Sequence, residues 1–319
     1  MAKVKSTKHV RQEPPMPGIG HAIYPHSSEA MAELFNEPQT MSIADWRRLG
    51  WEHPVWELVR YFLSIGTKVE RGSFAKALRD ESSAKIGKVM LKLEPDVSRL
   101  LSAYLDFRSG LWNTRGKMLR TEPEANAFCV KAFKESPKTT HTKNQDHHQS
   151  SKAMVLTTTR LAEAVCKKHG FTIDPNPQTR CVWLVEHKLH VTARNLDGAV
   201  PALLDPILIW EIKEYWGTTS GGSKMSDAVY ECALVGRELR DFEKRTGLHV
   251  DHAVLLDGKD QWTSRKSDLL RFCDLYYQGL IDALIIGREI ETHWQPYVKS
   301  VIEKARGIHP TGGRPDRRR

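Results

Sequence analysis

A chain of 319 residues, 40% of them hydrophobic and 27% charged, can bury a sizeable core and has room for two domains. It has no run of about eighteen apolar residues, and its basic N-terminus lacks an apolar centre. A helical membrane span and a secretory signal are therefore excluded, and a cytoplasmic protein is expected. The formal charge of +9 points towards a polyanionic partner.

In chain order, residues 1–27 are polar and Pro-rich and predict a basic arm without packed structure. Residues 28–140 predict a helical domain for DNA recognition or dimerisation, with a helix-turn-helix or winged arrangement. WEHPVWELVRYFLSIG, VSRLLSAYLDFRSGLW and EANAFCVKAF each space apolar residues by three and four. Residues 141–151 read as a linker. Its histidines (His141, His147, His148) sit in a polar stretch that offers a metal no ordered partners. The five cysteines, Cys129, Cys166, Cys181, Cys232 and Cys273, are scattered singly without a Cys-x-x-Cys pair. Buried free thiols are expected, rather than a disulfide framework or a zinc ribbon.

Residues 152–305 change character. TTTRLAEAVCKKHGF predicts a helix, RCVWLVEHKLHVTARNLDGAV two strands, and PILIWEIK a third. A long helix ends at Gly247. A strand at HVDHAVLL, a helix at SDLLRFCDLYYQG, a strand at IDALIIG and a helix over about 289–305 follow, before a basic tail at 306–319. The order is α-β-β-β-α-β with an added α-β-α. An α/β (α+β) class is expected, with a mixed sheet flanked by helices and a separate N-terminal helical domain.

Asp197 and the triplet Glu211-Ile212-Lys213 carry the chemistry. Residues two apart in a strand share a face, so Glu211 and Lys213 point one way while Leu208, Trp210 and Ile212 point the other. A hairpin centred near Leu204 sets Asp197 opposite Glu211, with Cβ atoms about 4.5–5.5 Å apart. Two carboxylates so placed repel unless a cation lies between them, and a hard ion such as Mg²⁺ fits. The Ile212 carbonyl is a further candidate ligand, and Lys213 would orient a water or stabilise charge on a phosphate. A second triplet, Glu186-His187-Lys188, has only Asp174 as a partner, and that residue lies just before Pro175 and Pro177 in an expected loop.

Asp197, a short apolar strand and Glu211-x-Lys213, in an α-β-β-β-α-β order, resemble the PD-(D/E)xK nuclease superfamily, best known from type II restriction endonucleases. The resemblance covers roughly residues 155–290; Leu196 stands where the superfamily's name has proline. It implies a restriction-endonuclease-like fold and a Mg²⁺-dependent DNA endonuclease, with Mn²⁺ as a substitute, leaving 5′-phosphate ends. Asp197 and Glu211 would bind metal, joined by Glu163 on the preceding helix, and Lys213 would assist the water. Double-stranded DNA is the implied partner, and a homodimer is the simplest way to cut both strands. Modification-dependent restriction is one variant of this reading. A repair, recombination or transposition nuclease and a non-catalytic DNA-binding protein of the same fold are the alternatives. Arg194, Asn195, Thr218, Ser220, Ser223 and Lys224 are candidate DNA contacts. Tyr215 and Trp216 could stack on a base, and Tyr230 and Glu231 could reach the site if the long helix crosses behind the strands. No Gly-rich phosphate loop is present, so no nucleotide cofactor is expected.

Overall fold

The computed structural model describes residues 42–65, 67–81, 83–139, 150–217 and 222–307. The Pro-rich arm, most of the expected linker with its three histidines, Thr218, Ser220 and the tail from 308 lie outside the described residues.

The N-terminal part runs α1 (Ile43–Leu49), α2 (Val55–Ser64), α3 (Lys68–Glu81), the hairpin β1 (Ser83–Ile86) and β2 (Val89–Lys92), α4 (Pro95–Arg115) and α5 (Glu122–Phe133). The three apolar-spaced segments fall on α2, α4 and α5 as expected. The hairpin is an addition, because four-residue strands rich in lysine leave too short an alternation to read. The remainder runs α6 (Ala153–Lys168), β3 (Asp174–Thr179), β4 (Val182–Val185), β5 (Lys188–Val191), β6 (Leu196–Val200), β7 (Leu208–Glu214), α7 (Gly222–Thr246), β8 (Asp251–Asp257), α8 (Lys259–Ser264), α9 (Lys266–Tyr277), β9 (Ala283–Ile286) and α10 (Ile290–Gly307). Among the described residues no helix is long and apolar enough to cross a membrane.

The main sheet is mixed, in the order β3-β6-β7-β8-β9. β6 runs antiparallel to its neighbours β3 and β7, and β8 and β9 continue parallel to β7. One expectation is corrected here. Residues 180–200 hold three strands rather than two, and the first two form a separate hairpin, β4–β5. One edge of the sheet is β3, whose Pro-rich sequence reads as a loop because proline is tolerated only where the strand's N–H groups need no partner. The turn of the β4–β5 hairpin is Glu186-His187, both at positive φ, so the second Glu-x-Lys triplet spans a turn and forms no strand face.

Both faces of the sheet are covered. Leu208, Trp210 and Ile212 face α6 and α10, meeting Met154, Ala162 and Trp294. Ile209, Leu196 and Ala199 face α7, meeting Val235, Leu239 and Phe242, with Trp183 of the small hairpin over them. The helices before residue 120 are not a separate domain, which corrects the second expectation. Trp46, Trp56, Leu100 and Tyr104 share one apolar cluster with Val254, Phe272, Ile281 and Ile286. Ion pairs cross the same boundary: Arg108 grips Asp274 through two bonds of 2.7 and 2.8 Å, and Arg47 reaches Asp282 at 2.9 Å. The apolar faces of the early helices find cover on α7, β8, α8, α9 and β9, so a pattern of helical spacing alone could not reveal the union. All five cysteines are buried and free, as their scatter predicts.

The β6–β7 register positions everything that follows. Gly198 pairs with Trp210, Ala199 with Ile209 and Val200 with Leu208, so the ladder is centred on residue 204, as the hairpin argument requires. The Trp210 indole lies flat across Gly198, where a Cβ would come within 1.8 Å of the ring. Gly198→Ala is expected to destabilise the fold by about 3 kcal/mol, the upper range for overpacking a filled core. Urea unfolding of the two proteins checks this, and an unchanged midpoint would contradict it.

Candidate active site

Extending the ladder by one step sets Asp197 opposite Glu211, on the face of the sheet that looks at α7. The Asp197 carboxylate accepts the Ile212 backbone N–H through Oδ2 (2.8 Å) and the Gln178 amide through Oδ1 (3.2 Å). Because the N–H and C=O of one strand residue face the same edge, the Ile212 carbonyl is also turned towards Asp197. Burial, and then the neighbouring Glu211, raise the Asp197 carboxyl above the ordinary range, against the hydrogen bond from Ile212 and the charge of Lys213.

Glu211 is only 2% exposed, and its Oε2 is 2.8 Å from the Lys213 ammonium. Lys213 also reaches Glu231 of α7 at 3.0 Å, and Glu231 in turn meets Arg194 at 2.7 Å. Burial alone would raise Glu211, but Lys213 and the nearby His252 outweigh it and hold the carboxyl down to about 2. Burial would likewise depress Lys213, yet Glu211 outweighs it and holds the amine well above its usual value. Lys213 is therefore an ammonium throughout the physiological range. Orientation and charge stabilisation suit it, and proton removal does not.

Glu211 Oε1 is buried without a hydrogen-bond partner, and so is His252 Nε2, 3.6 Å away. The Asp197 and Glu211 carboxylates, on adjacent strands with one orphaned oxygen, form a hard-oxygen donor set that a Mg²⁺ ion fits. His252 was not singled out from the sequence, although its signal is there: it stands in phase with Val254 and Leu256 on the inward side of a strand. Cys232, buried on α7 against Glu211, carried no such signal; burial and the carboxylate raise its thiol well above the ordinary range.

The other sequence candidates divide. Glu231 joins the site because α7 does cross behind the strands, whereas Tyr230 points outwards and stacks under Arg271. Arg194 reaches the cluster through Glu231; Asn195 is exposed just before β6, and Lys224 is exposed in the first turn of α7. Ser223 opens α7, but its side chain lies outside what is described. Trp216 is core, its indole N–H donating to the Ser151 carbonyl, and Tyr215 packs on Trp262. Glu163 pairs with Arg160 of its own helix at 2.9 Å, so the structure gives it a local surface partner.

A different acidic group, His249, Asp251 and Asp282, brings possible ligand atoms within 4.8 Å of one another at the start of β8. Asp282 is already held by Arg47 at 2.9 Å and Arg240 at 3.2 Å, which makes the group an ion-pair network.

With this geometry in view, comparison with known protein families gives a match. The family described as "Domain of unknown function (DUF7687)" covers residues 120–301, more than half of the chain. The chain belongs to that family. No curated protein and no solved structure matches it. The DUF7687 region contains α5 to β9, the whole main sheet and every residue of the Asp197 cluster.

The opposite face of β7 supplies a measurable contrast. Glu214 is buried beside Lys152 (3.7 Å) and accepts the Met154 N–H, and burial pushes its carboxyl up to about 7. A carboxyl raised in the folded state contributes stability that is present below its unfolded pKa, near 4.5, and lost as pH rises towards 7. Glu214→Gln is expected to flatten the stability profile between those values and to gain up to about 3 kcal/mol above pH 7. Denaturant unfolding across pH 4.5–8 measures it, and parallel profiles would contradict it.

Proposed function

We propose that this protein is a Mg²⁺-dependent DNA endonuclease of restriction-endonuclease-like fold, acting as a restriction enzyme on double-stranded DNA. One observation carries the reading: the β6–β7 register brings Asp197 opposite Glu211 on a single sheet face, with the Lys213 ammonium bound to Glu211. The order α6, β3, β6, β7, α7, β8, with the small hairpin as an insertion, supports the fold assignment.

Asp197 and Glu211 would hold the ion, with the Ile212 carbonyl facing the same edge. When bound, Mg²⁺ supplies positive charge at the scissile phosphate and makes a water nucleophilic at neutral pH. Lys213 places a second positive charge where the attacked phosphate gains negative charge, and Glu231 fixes its ammonium from the other side. Arg194, 42% exposed, neutralises the outer oxygen of Glu231 and presents a cation to a phosphate backbone. A pair of chains would cut both strands, one site each.

The test is digestion of supercoiled plasmid, unmodified or methylated on adenine or cytosine, with Mg²⁺, Mn²⁺ or EDTA. Cleavage is expected with either ion, lost in EDTA and in Asp197→Ala and Glu211→Gln. It should fall about 100-fold in Lys213→Met, the cost of removing one positioned charge-stabilising group. Absence of cleavage on every substrate, or cleavage that survives all three substitutions in folded protein, would refute the proposal. Duplex binding without cleavage would favour a non-catalytic DNA-binding protein.

A further inference from the structure

The amino-terminal part places α2 and α3 in succession, joined by Ile65-Gly66-Thr67, and follows them directly with the β1–β2 hairpin. Two successive helices separated by three residues, followed by a hairpin, have the element order of a winged helix-turn-helix. The inward side of this unit is settled by packing. Phe74 of α3 and Ala84 of β1 are buried in the shared core, and Tyr61 of α2 meets Phe74 at 5.1 Å between ring centroids.

The outward side has an unusual composition. On α3, Val69, Gly72, Ser73 and Lys76 are all exposed and follow helical spacing, giving a face of small side chains with a lysine at each end, since Lys68 precedes it. On the hairpin, Lys85 pairs with Met90 and Ser83 with Lys92, so Lys85, Met90 and Lys92 share the outer face, and Lys88 occupies the turn. Lys68, Lys76, Lys85, Lys88 and Lys92 are all exposed, and none is ion-paired with another described residue. Asp80 continues the exposed spacing one turn beyond Lys76 and is the acid on this face, while Glu70, to one side of it, is tied back to Thr67 as a helix cap. Amid these charges Val69 is 78% exposed and Met90 55%. Two large apolar side chains, one on each element, thus stand bare among the lysines. A groove of about 460 Å³ separates the helix from the hairpin, leaving two ridges.

We infer that α3 and the β1–β2 hairpin form a duplex-DNA docking surface, with α3 laid against a groove and the hairpin lysines on the adjoining phosphates. Charge complementarity selects the occupant: five exposed ammonium groups on two ridges, none ion-paired among the described residues, suit a regularly spaced polyanion. Small side chains on α3 permit close approach to base edges, and Val69 can meet a thymine methyl. The inference rests on the proposed nuclease function for the identity of the polyanion, and it names the surface that brings DNA to that enzyme. The surface precedes residue 120, so it lies outside the family match.

The test is fluorescence anisotropy with a labelled 30-base-pair duplex in EDTA, over a series of salt concentrations, so that binding is read without cleavage. Full-length Lys85→Glu/Lys88→Glu/Lys92→Glu is compared with wild type and with Lys85→Arg/Lys88→Arg/Lys92→Arg, each shown to be folded by its thermal melt. Loss of three phosphate contacts should weaken binding at least tenfold and reduce the salt slope by about 2–3. The arginine variant should bind as wild type does. Unchanged affinity and slope in the glutamate variant would overturn the inference even if the plasmid is cut. Equal weakening in the arginine variant, or tighter binding of single-stranded RNA than of the duplex, would overturn it too. Loss of duplex binding in the glutamate variant, alongside a wild type that never cleaves, would sustain the docking surface and end the nuclease reading instead.

Discussion

A tryptophan ring lying across a glycine fixes the alignment on which the candidate site depends. Trp210 fills the space where Gly198 has no side chain, and its other flank meets Trp294 edge-on, with ring centroids 5.6 Å apart. Side chains alternate between sheet faces, so slipping β6 by one residue would turn Asp197 into the apolar layer under α6 and α10. The lysine described at that layer, Lys152, is already paired with Glu214. The requirement is therefore carried by van der Waals contact on one face, and its result is expressed as charge on the other.

The second constraint is electrostatic. A carboxylate as deeply buried as Glu211 would be costly alone, and it is tolerated because Lys213 lies two residues on along the same face and Glu231 balances the lysine from α7. The chain Glu211–Lys213–Glu231–Arg194 passes from the interior to solvent as alternating charges. One oxygen of Glu211 stays outside this chain, close to an equally unpartnered nitrogen of His252. Polar atoms left unsatisfied in an otherwise well-paired interior are uncommon, and they cluster where a further group is to be received.

Much of the half that carries the candidate site was legible because its signals are local. The strand β7, its facing pattern, the hairpin centre at 204 and the long helix after it all follow from spacing two, spacing 3.6 and the flanking glycines. What escaped was set by distant partners. β3 is a strand because β6 offers it an edge, against the preference of its prolines. The wing is a hairpin because Ala84 finds a place in a core built by helices on either side. Glu231 could be named only conditionally, since the crossing of α7 is a tertiary fact. The joining of the early helices to the sheet depends on arginines, Arg47, Arg108, Arg115 and Arg120, whose carboxylate partners lie more than a hundred positions away.

Arg120 gives that union a practical edge. It is wholly buried, donating from its backbone N–H and its Nε to the equally buried Asp257 at the end of β8. Family membership is registered from residue 120 onwards, but the folding unit is not. A fragment cut there would strip Phe272, Ile281 and Trp262 of the aromatic and aliphatic side chains that shield them, and would leave Asp274 without its guanidinium. Such a fragment would expose a broad greasy surface beside a stranded charge, a combination that favours aggregation over a soluble half-protein. The boundary of inheritance and the boundary of cooperativity fall at different places in this molecule.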